Sequence, residues 1–380
     1  MRLVYTGTDG ALYAWRRAQP TTRLTWPWEE MVGGAPVGLS YAWPTCSRNG
    51  SRVLALARRG ADRHFLYVVD VDGVVAEEVA ALGETAPIYA NWSPDGTRVA
   101  VLLQRGGTLA LDVVALAGER APRTVARGAP LFWSWSPDGR TLAVHSGQSV
   151  DDMSVGGTVL VDAESGQVVD VLGRVLAPYR APSWSADGRW LAFARLAEHG
   201  TRLVLRNVES GERCTRELEA GAVAFVWHPR RPILAYVVAR DDAPHVYERI
   251  VCLDLQDERE RVIGRPAIAC AWHPDVPRLF RLAVAQARDA LVWEYEEEGD
   301  DAPATTVVRF VPTREIVFAA SFFDQYAGSH AAVAPDGSML AVAGRVPDEA
   351  GSKVPHVYAV GTESREVTLV GEGITAVWTA

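Results

Sequence analysis

Trp92-Ser93-Pro94-Asp95-Gly96, followed by Thr97-Arg98-Val99-Ala100-Val101-Leu102-Leu103-Gln104, is the stretch that decides the architecture of this chain. Pro94 presets φ at the entry to a turn, Asp95 tolerates its tight geometry, and Gly96 supplies a positive φ before an apolar run begins. The phrase returns as Trp135-Ser136-Pro137-Asp138-Gly139 and Trp184-Ser185-Ala186-Asp187-Gly188. Further copies read Trp43-Pro44, Trp227-His228-Pro229, Trp272-His273-Pro274-Asp275 and Val333-Ala334-Pro335-Asp336-Gly337. Counted from the tryptophan position, the steps are 49, 43, 49, 43, 45 and 61 residues. Self-similarity at this period means an array of one supersecondary unit.

Three β-like runs follow each copy. After Trp92 they are expected at 98–104, 109–116 and 122–127. With the segment that carries the tryptophan, each unit holds four strands, bounded by Gly, Pro and Asp. The runs are often apolar at consecutive positions, which fits sheets covered on both faces. Four-stranded sheets repeated around an axis make an all-β fold, a single closed β-propeller spanning residues 1–380. The end of the chain, Ile374-Thr375-Ala376-Val377-Trp378, reads as a first strand. The start reads as three strands, in Arg2–Thr6, Leu12–Trp15 and Thr22–Trp26. One blade is therefore expected to be a composite of residues 1–28 and 372–380, closing the ring and removing its edges. That gives eight blades, or seven if the irregular stretch after Trp272 is not a separate one.

The Trp-Ser-Pro-Asp-Gly repeats resemble those of the TolB-type propeller family and of the propeller domains of prolyl oligopeptidase-like proteins. The likeness covers nearly the whole chain and implies macromolecular recognition, or gating of a fused catalytic domain. It also implies a binding mouth on the rim opposite the repeated turns. Carried onto this sequence, that rim takes Tyr41, Tyr89, Trp133, Tyr179, Arg180 and Phe225 from the starts of innermost strands. Its loops would carry His145 and His245 among a collar of mixed charge. Aromatic walls of this kind suit a peptide or a small molecule.

Residues 312–330 account for the 61-residue step. Long connections inside compact domains are uncommon and often functional. Phe322-Phe323-Asp324-Gln325-Tyr326 sets aromatics beside a carboxylate and an amide, with His330 close behind. Two readings stay open: a ligand contact through Asp324, Gln325, Tyr326 and His330 near the axial mouth, or a structural plug anchored by Phe322 and Phe323.

Composition narrows the alternatives. A net charge of −9, with an acidic run at Glu294–Asp301, argues against a nucleic-acid partner. No apolar run approaches a membrane span, and Met1–Gly10 lacks a secretory h-region, so a cytoplasmic place is expected. The four cysteines show no zinc spacing and are expected to be reduced structural thiols. No nucleophile elbow, zincin helix or phosphate loop is present, and no cofactor or metal is called for. His228 and His273 are expected to serve their turns. The leading expectation is a non-enzymatic scaffold that binds a protein or peptide partner, with Tyr89, Trp133, His145, Arg180, Asp324, Gln325, Tyr326 and His330 as candidate contacts. The alternatives are a small-molecule hydrolase or lyase using His330 or His145 as acid or base, and a metabolite or sugar sensor.

Overall fold

A computed structural model describes residues 1–26, 29–32, 35–72, 75–118, 120–147, 156–173, 181–219, 223–240, 246–286, 290–295, 304–346 and 353–379. The chain divides into two compact units, Met1–Thr124 with Arg309–Phe318 and Ser329–Ala380, and Val125–Val308 with Ala319–Gly328. Both are built almost wholly of antiparallel sheet.

In the first unit, one sheet joins the two ends of the chain. Its order is Thr22–Arg23, Leu12–Trp15, Arg2–Thr6 and Thr375–Thr379, with Leu3 opposite Trp378 and Val4 opposite Val377. A five-stranded sheet runs from Glu29–Val32 through Ala35–Cys46, Arg52–Arg59 and Arg63–Asp70 to Val75–Gly83. Another begins with Pro87–Trp92, Arg98–Arg105 and Thr108–Ala115. Met339–Arg345, His356–Gly361 and Val367–Glu372 pair antiparallel in that order.

The second unit repeats the pattern. Its sheets are Leu131–Trp135 to Val168–Gly173, Ser183–Trp184 to Arg213–Leu218, and Val223–Trp227 to Arg259–Ile263, each of four strands in chain order. Ala269–Trp272, Leu279–Val284 and Leu291–Tyr295 likewise pair antiparallel in chain order. Cores lie between consecutive sheets, as where Ala192, Leu203 and Leu205 meet Phe225, Leu234, Tyr236 and Val251. Every residue of Ile233–Ala239 is buried, which is why these strands read as unbroken apolar runs.

The repeated phrase works in two parts. In three copies its tryptophan ties the sheet to the one before: Trp92 Nε1 donates to the Thr45 carbonyl at 3.0 Å, Trp227 to Ser183 at 2.9 Å and Trp272 to Val226 at 3.0 Å. Its turn is closed by side chains. Ser93 Oγ donates to Asp95 Oδ1 at 2.5 Å and accepts the Arg98 N–H at 2.9 Å, while Asp95 accepts the Thr97 N–H at 3.0 Å. Gly96 sits at φ 69, in the left-handed region the turn requires. Ser136 with Asp138, and Ser185 with Asp187, repeat the arrangement.

Two departures are instructive. The first copy of the turn is not at Trp43-Pro44 but at Cys46-Ser47-Arg48-Asn49-Gly50, where Ser47 Oγ donates to Asn49 Oδ1 at 2.8 Å and Gly50 N donates to Ser47 O at 2.8 Å. Trp43 instead occupies a bulge at φ 51, where the pairing register shifts between Ala42 and Thr45. In the histidine copies the imidazole takes over: His228 Nδ1 accepts the N–H groups of Arg230 and Arg231, and His273 Nδ1 those of Asp275 and Val276. These histidines are turn residues.

Burial by itself would raise the Asp95 carboxyl, but the hydrogen bonds from Ser93 and Thr97 outweigh it and hold the group below its ordinary range. A depressed carboxylate stabilises the fold above its unfolded pKa and loses that contribution as pH falls through the folded value. Ser93→Ala removes a fully buried hydroxyl that both donates and accepts. It is expected to cost about 1–2 kcal/mol in urea unfolding at neutral pH and to shrink the acid-dependent part contributed by Asp95.

Candidate functional site

The segment read as a long connection, residues 312–330, is mostly helical. Helix α1 spans Arg314–Ser321 and α2 spans Phe323–Tyr326. Thr313 starts α1: its Oγ1 accepts the Ile316 N–H at 3.3 Å and donates to the Ile374 carbonyl at 2.6 Å. Glu315 lies in the first turn, where a carboxylate suits the helix dipole. Pro312-Thr313 before Glu315 is the start signal that could have revealed the helix from sequence.

Within the second unit, α2 is fastened by its side chains. Gln325 Oε1 accepts the Trp133 N–H at 3.0 Å, and Gln325 Nε2 donates to the Trp133 carbonyl at 2.8 Å. Asp324 Oδ2 accepts the Ala181 N–H at 3.1 Å. Phe323 meets Tyr247 edge-on at 5.9 Å, and Phe322 lies 6.2 Å from Phe132. Phe323, Gln325 and Tyr326 are buried. These bonds tie α2 to backbone groups of its own unit. Gln325→Ala would remove both bonds to the buried Trp133 backbone, at an expected cost of about 2–3 kcal/mol by urea unfolding. Gln325→Asn, one methylene shorter, is expected to recover little of this.

Within the first unit, Tyr89, Ser329 and His330 form a chain. The Tyr89 hydroxyl bonds Ser329 Oγ, which lies 3.0 Å from His330 Nδ1. The His330 ring packs against Tyr89 at 5.7 Å and Trp43 at 5.8 Å, and Trp43 packs on Phe318 at 5.7 Å. Burial pushes the His330 imidazole down to about 3, so the ring is neutral at physiological pH. Val317 and Phe318, by contrast, are 48% and 38% exposed. They form an apolar step on α1 beside half-buried Trp43.

The remaining expected contacts separate. His145 is not in a loop: it lies inside the strand Thr141–Ser146, 1% exposed, with Nδ1 3.0 Å from Thr158 Oγ1. Tyr41, Tyr89, Trp133 and Phe225 are buried side chains. Arg180, Tyr179 and His245 lie outside the described residues. Among the described residues no group of three or more His, Cys, Asp or Glu is placed to hold a metal ion. No described helix is long and apolar enough to cross a membrane. None of the four cysteines is in a disulfide, and burial pushes the Cys46 thiol up to about 12. Sequence reasoning missed Ser329, Trp43 as a site residue and the Val317–Phe318 step; Ser329 carried no motif, and the other two were masked by the turn and loop readings.

No protein family and no curated protein matches the chain by sequence. Solved structures do resemble it. The C-terminal WD40 domain of Sif2 aligns with a TM-score of 0.51 at 11% identity, over 90% of this chain and 89% of that one. A prolyl endopeptidase structure gives 0.54 at 13% identity, over 89% of this chain and 50% of that one. TolB from Acinetobacter baumannii gives 0.41 at 14% identity, over 70% of this chain and 65% of that one. The chain thus spans about two thirds of that TolB structure and half of the peptidase. WD40 domains are β-propellers, and the class this chain joins by fold is therefore the β-propeller. At these identities the likeness concerns the fold alone.

Proposed function

We propose that the chain is a non-enzymatic, TolB-like propeller that binds a protein or peptide partner at its axial mouth. We infer eight blades, closed by the pairing of Arg2–Thr6 with Thr375–Thr379. The observation that carries the binding reading is the step on α1: two neighbouring apolar side chains, Val317 and Phe318, face solvent beside the ring of Trp43. Exposed apolar clusters of this kind mark interaction sites. Trp43 holds a left-handed backbone, rare for a bulky residue and concentrated at functional positions. Tyr89 and His330 then act from beneath, as the frame of the patch, while Trp133, Asp324, Gln325 and Tyr326 anchor the neighbouring α2.

A hydrolase or lyase has less support. A general acid or base works best with a pKa near the operating pH, and His330 stands at about 3. His145 is buried on Thr158.

The test is a paired substitution, Val317→Ser with Phe318→Ser, in the full chain. Partners recovered by affinity capture from the native host should be lost while the unfolding midpoint stays near wild type. Capture that persists unchanged rejects the patch.

A further inference from the structure

Gln325 meets Trp133 as another strand would. One carboxamide engages both the N–H and the C=O of a single residue, the exchange made by a hydrogen-bonded pair in an antiparallel ladder. Trp133 lies on Leu131–Trp135, the terminal strand of its sheet, so the edge that faces Gln325 has no strand beside it in that sheet. The preceding side chain, Asp324, takes the Ala181 N–H just ahead of the next sheet. Two consecutive residues, a carboxylate and then a carboxamide, therefore read the backbone of one sheet and of the segment that leads into the next. Phe322 and Phe323 add ring contacts to Phe132 and Tyr247.

Nothing in these contacts depends on α2 belonging to the same chain. A helix of four residues is far too short to persist alone, and Phe322 at its start makes no side-chain cap. Its place is set by what it touches. The recognition chemistry resides in the receiving edge, which offers a donor–acceptor pair at Trp133, a donor at Ala181, and aromatic faces at Phe132 and Tyr247.

We propose that this edge is a peptide-recognition site which the chain's own residues Phe322–Tyr326 occupy. Its external ligand is a peptide with an acidic residue followed directly by Gln or Asn, preceded by aromatic side chains. The identification of that ligand with the partner rests on the function proposed above; the site itself does not. Binding requires α2 to leave, so the apparent affinity is lowered by the fraction of molecules in which it has done so.

The probe is the acetylated, amidated pentapeptide Phe-Phe-Asp-Gln-Tyr, added in trans to the full chain carrying Asp324→Ala and Gln325→Ala. The peptide should bind this variant with a Kd of roughly 1 mM or tighter and raise its melting temperature. At the same concentration it should leave the wild type unchanged, because the site is filled. A control peptide with Ala at both polar positions should bind at least about tenfold more weakly. A folded variant that gives no isotherm and no melting shift overturns the proposal.

Should the variant fail to fold, hydrogen exchange on the wild type decides. The Trp133 and Ala181 amides should exchange at least about tenfold faster than core amides of the adjoining strand Thr141–Ser146, reporting an opening confined to α2. Equal protection overturns the proposal, since α2 then leaves only when the sheet unfolds. Failure of the Val317 and Phe318 substitutions to release a partner would count against the earlier reading and leave the peptide isotherm untouched.

Discussion

Asp112→Ala is expected to lower the stability of the fold by about 3 kcal/mol, read as a shift in the urea midpoint. Asp112 is fully buried in Thr108–Ala115. Its Oδ2 accepts from Arg105 Nη2 at 2.6 Å, and its Oδ1 accepts the Thr124 hydroxyl at 2.7 Å. Arg105 Nη1 also donates to Thr124 Oγ1 at 3.0 Å, closing a three-membered network. Removing the carboxylate leaves a guanidinium and a hydroxyl aimed at a void. The Arg105 side chain is 34% exposed, so water relieves part of the loss and places the cost at the low end of the range for a broken buried pair. Asp112→Asn keeps the shape and the bond from Thr124, and should recover about half. A midpoint for the alanine variant within about 0.5 kcal/mol of wild type would show the network to be idle.

The second large effect is in pH. An unfolded histidine titrates near its ordinary value of 6.5, whereas burial holds His330 at about 3 in the fold. Above the ordinary value neither state carries the proton, and the contribution of His330 is fully present. As pH falls from 6.5 toward 3, the unfolded chain binds a proton that the native state excludes. Each pH unit in that window then costs about 1.4 kcal/mol, levelling off once the folded value is passed. Between pH 6.5 and pH 4.5 the loss from this one ring is on the order of 3 kcal/mol. His330→Gln keeps a polar partner for Ser329 and should flatten the decline across that interval. His228, lowered in the same direction chiefly by burial, remains in the variant and supplies a residual slope. Parallel pH profiles for wild type and variant would place the acid sensitivity elsewhere.

The turns and the four-stranded unit were readable because their causes are local. Ser93, Asp95 and Gly96 close a turn among themselves, and any sequence that repeats them repeats the turn. The same locality explains the misplaced first copy. Cys46–Gly50 preserves the hydroxyl, the side-chain acceptor and the glycine that make the turn, while the tryptophan and proline used as markers had drifted upstream to Trp43 and Pro44. Helix α1 was hidden because eight residues hold too few turns for a periodic apolar face to stand out from a loop.

The site was legible only in its inventory. Phe322–Tyr326 was singled out, yet the destinations of Asp324 and Gln325 depend on partners 143 and 192 residues away in sequence. A carboxylate or amide in a connecting segment can serve a ligand or a neighbouring backbone equally well. Only tertiary distances separate the two. His145 shows the same limit: a position at the end of an apolar run proved to be an interior one, satisfied by Thr158 across the ladder.

The sheet shared by the two ends of the chain also sets an order of events during synthesis. Leu3 is translated 375 positions before its neighbour Trp378. At ordinary elongation rates that is a wait of roughly 20–75 s, during which Arg2–Thr6 presents an unsatisfied edge to the cell. Nascent chains of this protein therefore have a long interval in which a chaperone, or a second nascent chain, can reach that strand before its own partner does.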